Sequence, residues 1–102
     1  MLSVLEDKKE GFRFHYVLSD GENKYGGGLG EDGFLCVDAL CPFKELMLRT
    51  LINKCINEFV QKVCAKDVWD TDLVRFGFER QGDVFVSSFE TLRLPHDCGG
   101  HA

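Results

Sequence analysis

Only one stretch of this chain carries the 3.6-residue repeat of an amphipathic helix, and stretches that alternate with a period of two flank it on both sides. From Pro42 onward, apolar residues fall at Phe43, Leu48, Leu51, Ile52, Cys55, Ile56, Phe59, Val60 and Val63, while Arg49, Asn53, Asn57, Glu58, Gln61 and Lys62 take the other side. The spacing predicts a helix over about 43–65, ~34 Å long, with Pro42 fitting its first turn. A single amphipathic helix must lay its apolar stripe on something else.

The flanking segments supply that surface. In "GFRFHYVLS", Phe12, Phe14, Tyr16 and Leu18 face one way and Arg13, His15 and Val17 the other. In "FLCVDAL", Leu35, Val37 and Ala39 alternate with Cys36 and Asp38. After the helix, Val74, Phe76 and Phe78 oppose Arg75 and Gly77, and Val84 and Val86 oppose Phe85, Ser87 and Phe89. Asp-Gly pairs at 20–21 and 32–33 and the run "RQGD" mark turns, and "TLRL" before Pro95 offers one more short strand. The expected fold is α+β: an antiparallel sheet of five or six strands in β-β-β-α-β-β order, with one long amphipathic helix packed on one face. Residues 1–102 read as a single domain with a flexible tail from about residue 95.

The stretch "KYGGGLGEDG" places Gly26, Gly27, Gly28 and Gly30 in a run that lies between two turn signals. A dinucleotide loop needs its glycines directly before a helix, whose free N–H groups bind the pyrophosphate. No helix start is near, so the run reads as a middle strand whose bare backbone lets a neighbour approach closely.

Net charge is −5, from 17 acidic and 12 basic residues, with no basic stripe. Direct nucleic-acid binding and attraction to an anionic membrane are therefore disfavoured; the acidic surface fits ordinary solubility, and docking on a basic protein surface is the sharper alternative. No apolar run approaches membrane-spanning length, and the N-terminus lacks the pattern of a secretory signal. Five cysteines, an odd number, read as reduced thiols and hence a cytoplasmic protein. Cys55 and Cys64 fall on the predicted helix stripe as inert core thiols.

Three constellations could carry chemistry. His96, Cys98 and His101 crowd the tail, but their spacing matches no standard zinc knuckle, so no metal or other cofactor is expected. His15, Cys36 and Asp38 could meet across the strands and line a pocket between sheet and helix, as in a small enzyme or ligand-binding domain. Asp67, Asp70 and Asp72 surround Trp69 without the alternating ligands of a calcium loop, and suit a basic partner groove.

Nine Phe, one Trp and two Tyr are many for 102 residues, and the later strands carry apolar groups on both faces. One helix covers one face, so a second subunit over Phe85 and Phe89 is expected, giving a homodimer. The function that follows is a small non-enzymatic regulatory or inhibitory protein. It would bind another protein through Trp69, Asp67, Asp70, Asp72, Phe85 and Phe89. A small enzyme or ligand-binding domain, or a zinc-stabilised module closed by the tail, is the alternative.

Overall fold

A meander of four antiparallel strands opens the chain: β1 (Ser3–Glu6), β2 (Phe12–Ser19), β3 (Lys24–Gly30) and β4 (Phe34–Val37). Helix α1 (Lys44–Asn57) then carries the chain across the sheet to β5 (Lys62–Lys66), which lies parallel to β4. A 3-10 turn (Leu73–Phe76) leads to β6 (Glu79–Gln81) and β7 (Val84–Ser88), and β7 inserts between β5 and β6. The seven strands stand in the order β1-β2-β3-β4-β5-β7-β6. This computed structural model describes residues 2–95, so His96, Cys98 and His101 and most of the predicted tail lie outside the described residues.

The α+β class and the single helix on one face agree with the sequence pattern. The antiparallel order does not hold throughout, because the β4-α1-β5 crossover makes one parallel pair. There are also seven strands rather than five or six. The additional edge strand β1 is mostly exposed, so it leaves little alternation to read.

The helix ends earlier than its apolar period suggests. Phe59 N–H donates to Ile56 O at 3.2 Å and Val60 N–H to Cys55 O at 3.0 Å, the paired bonds of a Schellman cap, with Phe59 in the left-handed position at φ 55°. Glycine is the usual residue there, and a bulky side chain hides the stop signal. Beyond it, Lys62–Lys66 forms β5, with Val63 and Ala65 buried at 0% exposure and Cys64 half-buried on the other side. Cys64 is thus a strand residue, whereas Cys55 is a core thiol of α1.

Residues 73–76 form a 3-10 turn instead of a strand, because Asp72 Oδ1 accepts from Val74 N–H and Leu73 and Phe76, three apart, both point inward. The "TLRL" segment is not a strand either. Thr91 and Leu92 N–H both donate to Ser88 O, which curls the chain back, and Leu92 drops into the core.

One face of the sheet holds the core. Phe14, Leu18, Leu29, Leu35, Val63, Ala65 and Phe85 pack beneath Met47, Leu48, Leu51, Ile52 and Cys55 of α1. Trp69, Leu73, Phe76, Phe78 and Leu92 extend the same cluster over β5 and β7. The opposite face carries His15, Gly28 and Cys36 in one cross-strand row, with Val84 and Val86 half-buried farther along. A register shift between Phe12 and Phe14 breaks the expected alternation, and it brings the Phe12 ring to 4.9 Å from His15. Among the described residues no helix is long and apolar enough to cross a membrane.

Candidate functional site

The parallel pair is where the sheet opens. Its register covers Phe34↔Cys64 and Leu35↔Ala65, although both strands run on toward their carboxyl ends. Past that point the chain leaves β4 through Asp38 and Ala39 into α1, and leaves β5 through Asp67 toward Trp69.

Two clefts, with no lining residue in common, are built from the carboxyl ends of these strands and the segments that follow them. One, of about 410 Å³, is lined by Asp32, Phe34–Val37, Lys66 and Val68. The other, of about 600 Å³, lies between residues 39–46 and Trp69 and Asp70. Exposed large apolar residues gather around them: Leu40 at 85%, together with Phe43, Leu46 and Val68. Solvated leucine and phenylalanine side chains beside an open strand edge favour an apolar occupant.

The start of α1 lines the second of these clefts. Its N-cap is Phe43, which supplies no side-chain acceptor, so the first-turn N–H groups meet no capping oxygen. Lys44 Nζ pairs with Asp70 Oδ2 at 3.1 Å. Glu45 Oε1 accepts from Thr71 Oγ1 at 3.0 Å and Oε2 from Arg49, which ties the loop after β5 to the helix. Burial alone would raise the Glu45 carboxyl, but the hydrogen bonds from Arg49 and Thr71 outweigh it and hold the group below the ordinary carboxylate value.

The predicted acidic and aromatic contacts divide. Asp67, Asp70 and Asp72 are exposed, but Asp70 pairs with Lys44 and Asp72 caps the 3-10 turn. Trp69 has 0% exposure and fills the core, so it offers no surface. Phe85 is likewise buried against Ala65, and Phe89 is half-buried with its ring 5.2 Å from that of exposed Phe59. The expectation that aromatics flank the acids on the surface is corrected: the indole is too large and apolar to remain outside when the loop folds over the sheet end.

The predicted glycine contacts are internal. A Cβ on Gly27 would meet Met47, one on Gly28 would meet Phe14 O and the Phe12 ring, and one on Gly26 would meet His15. At Gly30 the neighbour is Asp32 Oδ1.

His15, Cys36 and Asp38 share the uncovered face without forming a catalytic array. His15 and Cys36 oppose Gly28 from its two sides, which sets their backbones about 10 Å apart. His15 Nδ1 donates to Asp7 O at 3.0 Å and the ring is buried, while Asp38 Oδ2 accepts from Gly26 N–H at 2.7 Å. Desolvation, with Asp32 nearby, pushes the Cys36 thiol upward, the opposite of what a nucleophile needs. Among the described residues no group of three or more His, Cys, Asp or Glu could hold a metal ion.

The residues that line the opening were not legible as a site. Leu40 and Phe43 read as an approach to a helix, and the one available signal was negative: "ALCPF" lacks the Ser, Thr, Asp or Asn that normally caps a helix start. No protein family, curated protein or solved structure matches this chain.

Proposed function

We propose that this chain is a protein-binding module, regulatory or inhibitory in role, that holds an extended segment of a partner in the crevice between β4 and β5. The observation that carries the reading is the short parallel pairing: two strands separate after Leu35↔Ala65, beside a ring of exposed apolar residues. An extended peptide can use such strand edges for main-chain hydrogen bonds and set alternate side chains against the rim. Covering Leu40 and its neighbours contributes roughly 1.5–3 kcal/mol for each large side chain taken fully out of water. Asp70 borders the cleft at the start of α1, so a basic residue in the bound segment gains complementary charge.

The test is a pool of synthetic heptapeptides, labelled at their N-termini, screened for binding by fluorescence polarisation. Leu40→Asp and Val68→Asp should each abolish binding of the selected peptides, while Leu5→Asp on the far edge strand leaves it intact. Binders indifferent to Leu40→Asp, or no binders at all, would sink the reading.

A further inference from the structure

At the amino-terminal ends of β4 and β5, two cations and two acids line one cleft. Arg13 reaches it from a bulge: the register passes from Phe12↔Gly30 to Phe14↔Leu29, which leaves Arg13 as the added residue of β2, outside the alternation of the strand. Lys62 reaches it from the start of β5. Between β2 and β5 in the sheet lies the β3–β4 turn, which brings Glu31 and Asp32 to the same place. Among the described residues, Arg13, Lys62 and Glu31 make no side-chain hydrogen bond or ion pair, and Asp32 accepts the Phe34 N–H of its own turn at 3.1 Å. Other charges of the fold close on each other, as Lys44 does with Asp70 and Lys54 with Glu58. Leu29, Phe34, Val60 and Cys64 give the cleft an apolar floor, and its volume of about 580 Å³ lies in the range of small-molecule sites. A Cβ on Gly33 would meet nothing within 4 Å, so the turn leaves the mouth open.

From this cleft we infer a binding site for a free amino acid with a large apolar side chain. Two charges of each sign, held apart over an apolar floor, ask for a ligand that carries both signs and a hydrocarbon body. The ligand carboxylate takes the donors of Arg13 and Lys62, its ammonium takes the carboxylates of Glu31 and Asp32, and its side chain lies against Phe34, Leu29 and Val60. Other classes fit less well. A phosphate brings its excess negative charge against two acids, and a fatty acid covers those acids with hydrocarbon, which strips them of water without giving them a partner. The cleft meets the one along the ends of β4 and β5 only at Asp32 and Phe34, and neither this site nor the partner crevice requires the other.

L-leucine, L-methionine and L-phenylalanine are the probes, each titrated by calorimetry at slightly acid pH, where every amine is charged. The tightest binder should lose at least about tenfold as its N-acetyl derivative, which lacks the ammonium, and as its amide, which lacks the carboxylate. Arg13, Glu31 and Lys62 are exposed, so their glutamine variants should melt with the parent. Arg13→Gln and Lys62→Gln should each weaken the amino acid severalfold yet leave the amide unchanged, and Glu31→Gln should do the same with the N-acetyl derivative as the indifferent one. Bound amino acid should also slow alkylation of Cys64 by iodoacetamide at least about fivefold without slowing Cys36, which is outside the cleft. Leu40→Asp should change none of this.

Neither heat nor protection of Cys64 from any of the three probes at millimolar concentration would overturn the inference. So would an amide or N-acetyl derivative that binds within about twofold of its parent, since the site would then not read both charges. Alanine bound as tightly as the larger amino acids, or binding that survives both Arg13→Gln and Lys62→Gln undiminished, would overturn it as well.

Discussion

The Cβ that Gly27 lacks would stand 2.7 Å from Cγ of Met47, so the middle strand and the helix meet at a distance that a larger residue reaches only if Met47 shifts. Gly26, Gly27 and Gly28 all have ordinary backbone angles, and space alone explains them. Alanine at each position should therefore destabilise, by about 1–3 kcal/mol, despite the smaller gain that replacing glycine usually brings through the unfolded chain. The order follows from what must move. Gly28→Ala should cost most, since Phe14 O at 2.5 Å is backbone, whereas Met47 and His15 can rotate away from Gly27→Ala and Gly26→Ala. Urea denaturation of the three variants measures this, and an equal loss at all three would contradict it.

Phe59 holds a glycine's conformation at the end of α1 while its ring touches that of Phe89. The two effects oppose each other. Phe59→Gly should relieve about 1–2 kcal/mol of backbone strain and forfeit about 0.5–1.5 kcal/mol of ring contact. In a Phe89→Ala background only the relief remains, so Phe59→Gly should be more stabilising there than in the parent. A double-mutant cycle by thermal melting reads the difference.

Glu45 couples stability to acid. Its carboxyl lies below the ordinary 4.5 in the folded chain, so its contribution is complete above that value and disappears as pH falls through the lowered folded value. The parent should lose stability relative to Glu45→Gln between neutral pH and pH ~3. Parallel pH profiles for the two proteins would show that Thr71 and Arg49 do not hold the loop in this way.

Thiol chemistry separates the cysteines. Burial pushes Cys55 up to about 12, and Cys36 is raised less while remaining exposed. With iodoacetamide near pH 8, mass spectrometry should find Cys36 alkylated first among the four described cysteines, at no more than the rate of an unfolded thiol, with Cys64 slower and Cys41 and Cys55 protected. A Cys36 that reacts many times faster than a free thiol would revive the catalytic alternative.

Much of the frame was legible because local pattern and tertiary burial agree. The alternation in 12–19 and 84–88 and the stripe from Met47 to Cys55 belong to the faces that the core buries. The errors arose where two patterns share the same residues. Val60 and Val63 continue a helical stripe, yet Val63 and Ala65 also alternate as a strand, and only the cap at Phe59 decides between them. The parallel pairing could not be read at all, because a two-residue register leaves no trace in composition. The clefts escaped with it, since Cys36 and Val68 lie far apart in sequence and line one cleft only through that pairing.

The central claim is that the opening between β4 and β5 is the binding surface, and amide chemical shifts under titration with a selected heptapeptide test it most directly. The account predicts perturbations concentrated at Cys36, Val37, Leu40, Lys66 and Val68. Perturbations centred on Phe59 and Phe89, or on the uncovered face around Val84 and Val86, would contradict it.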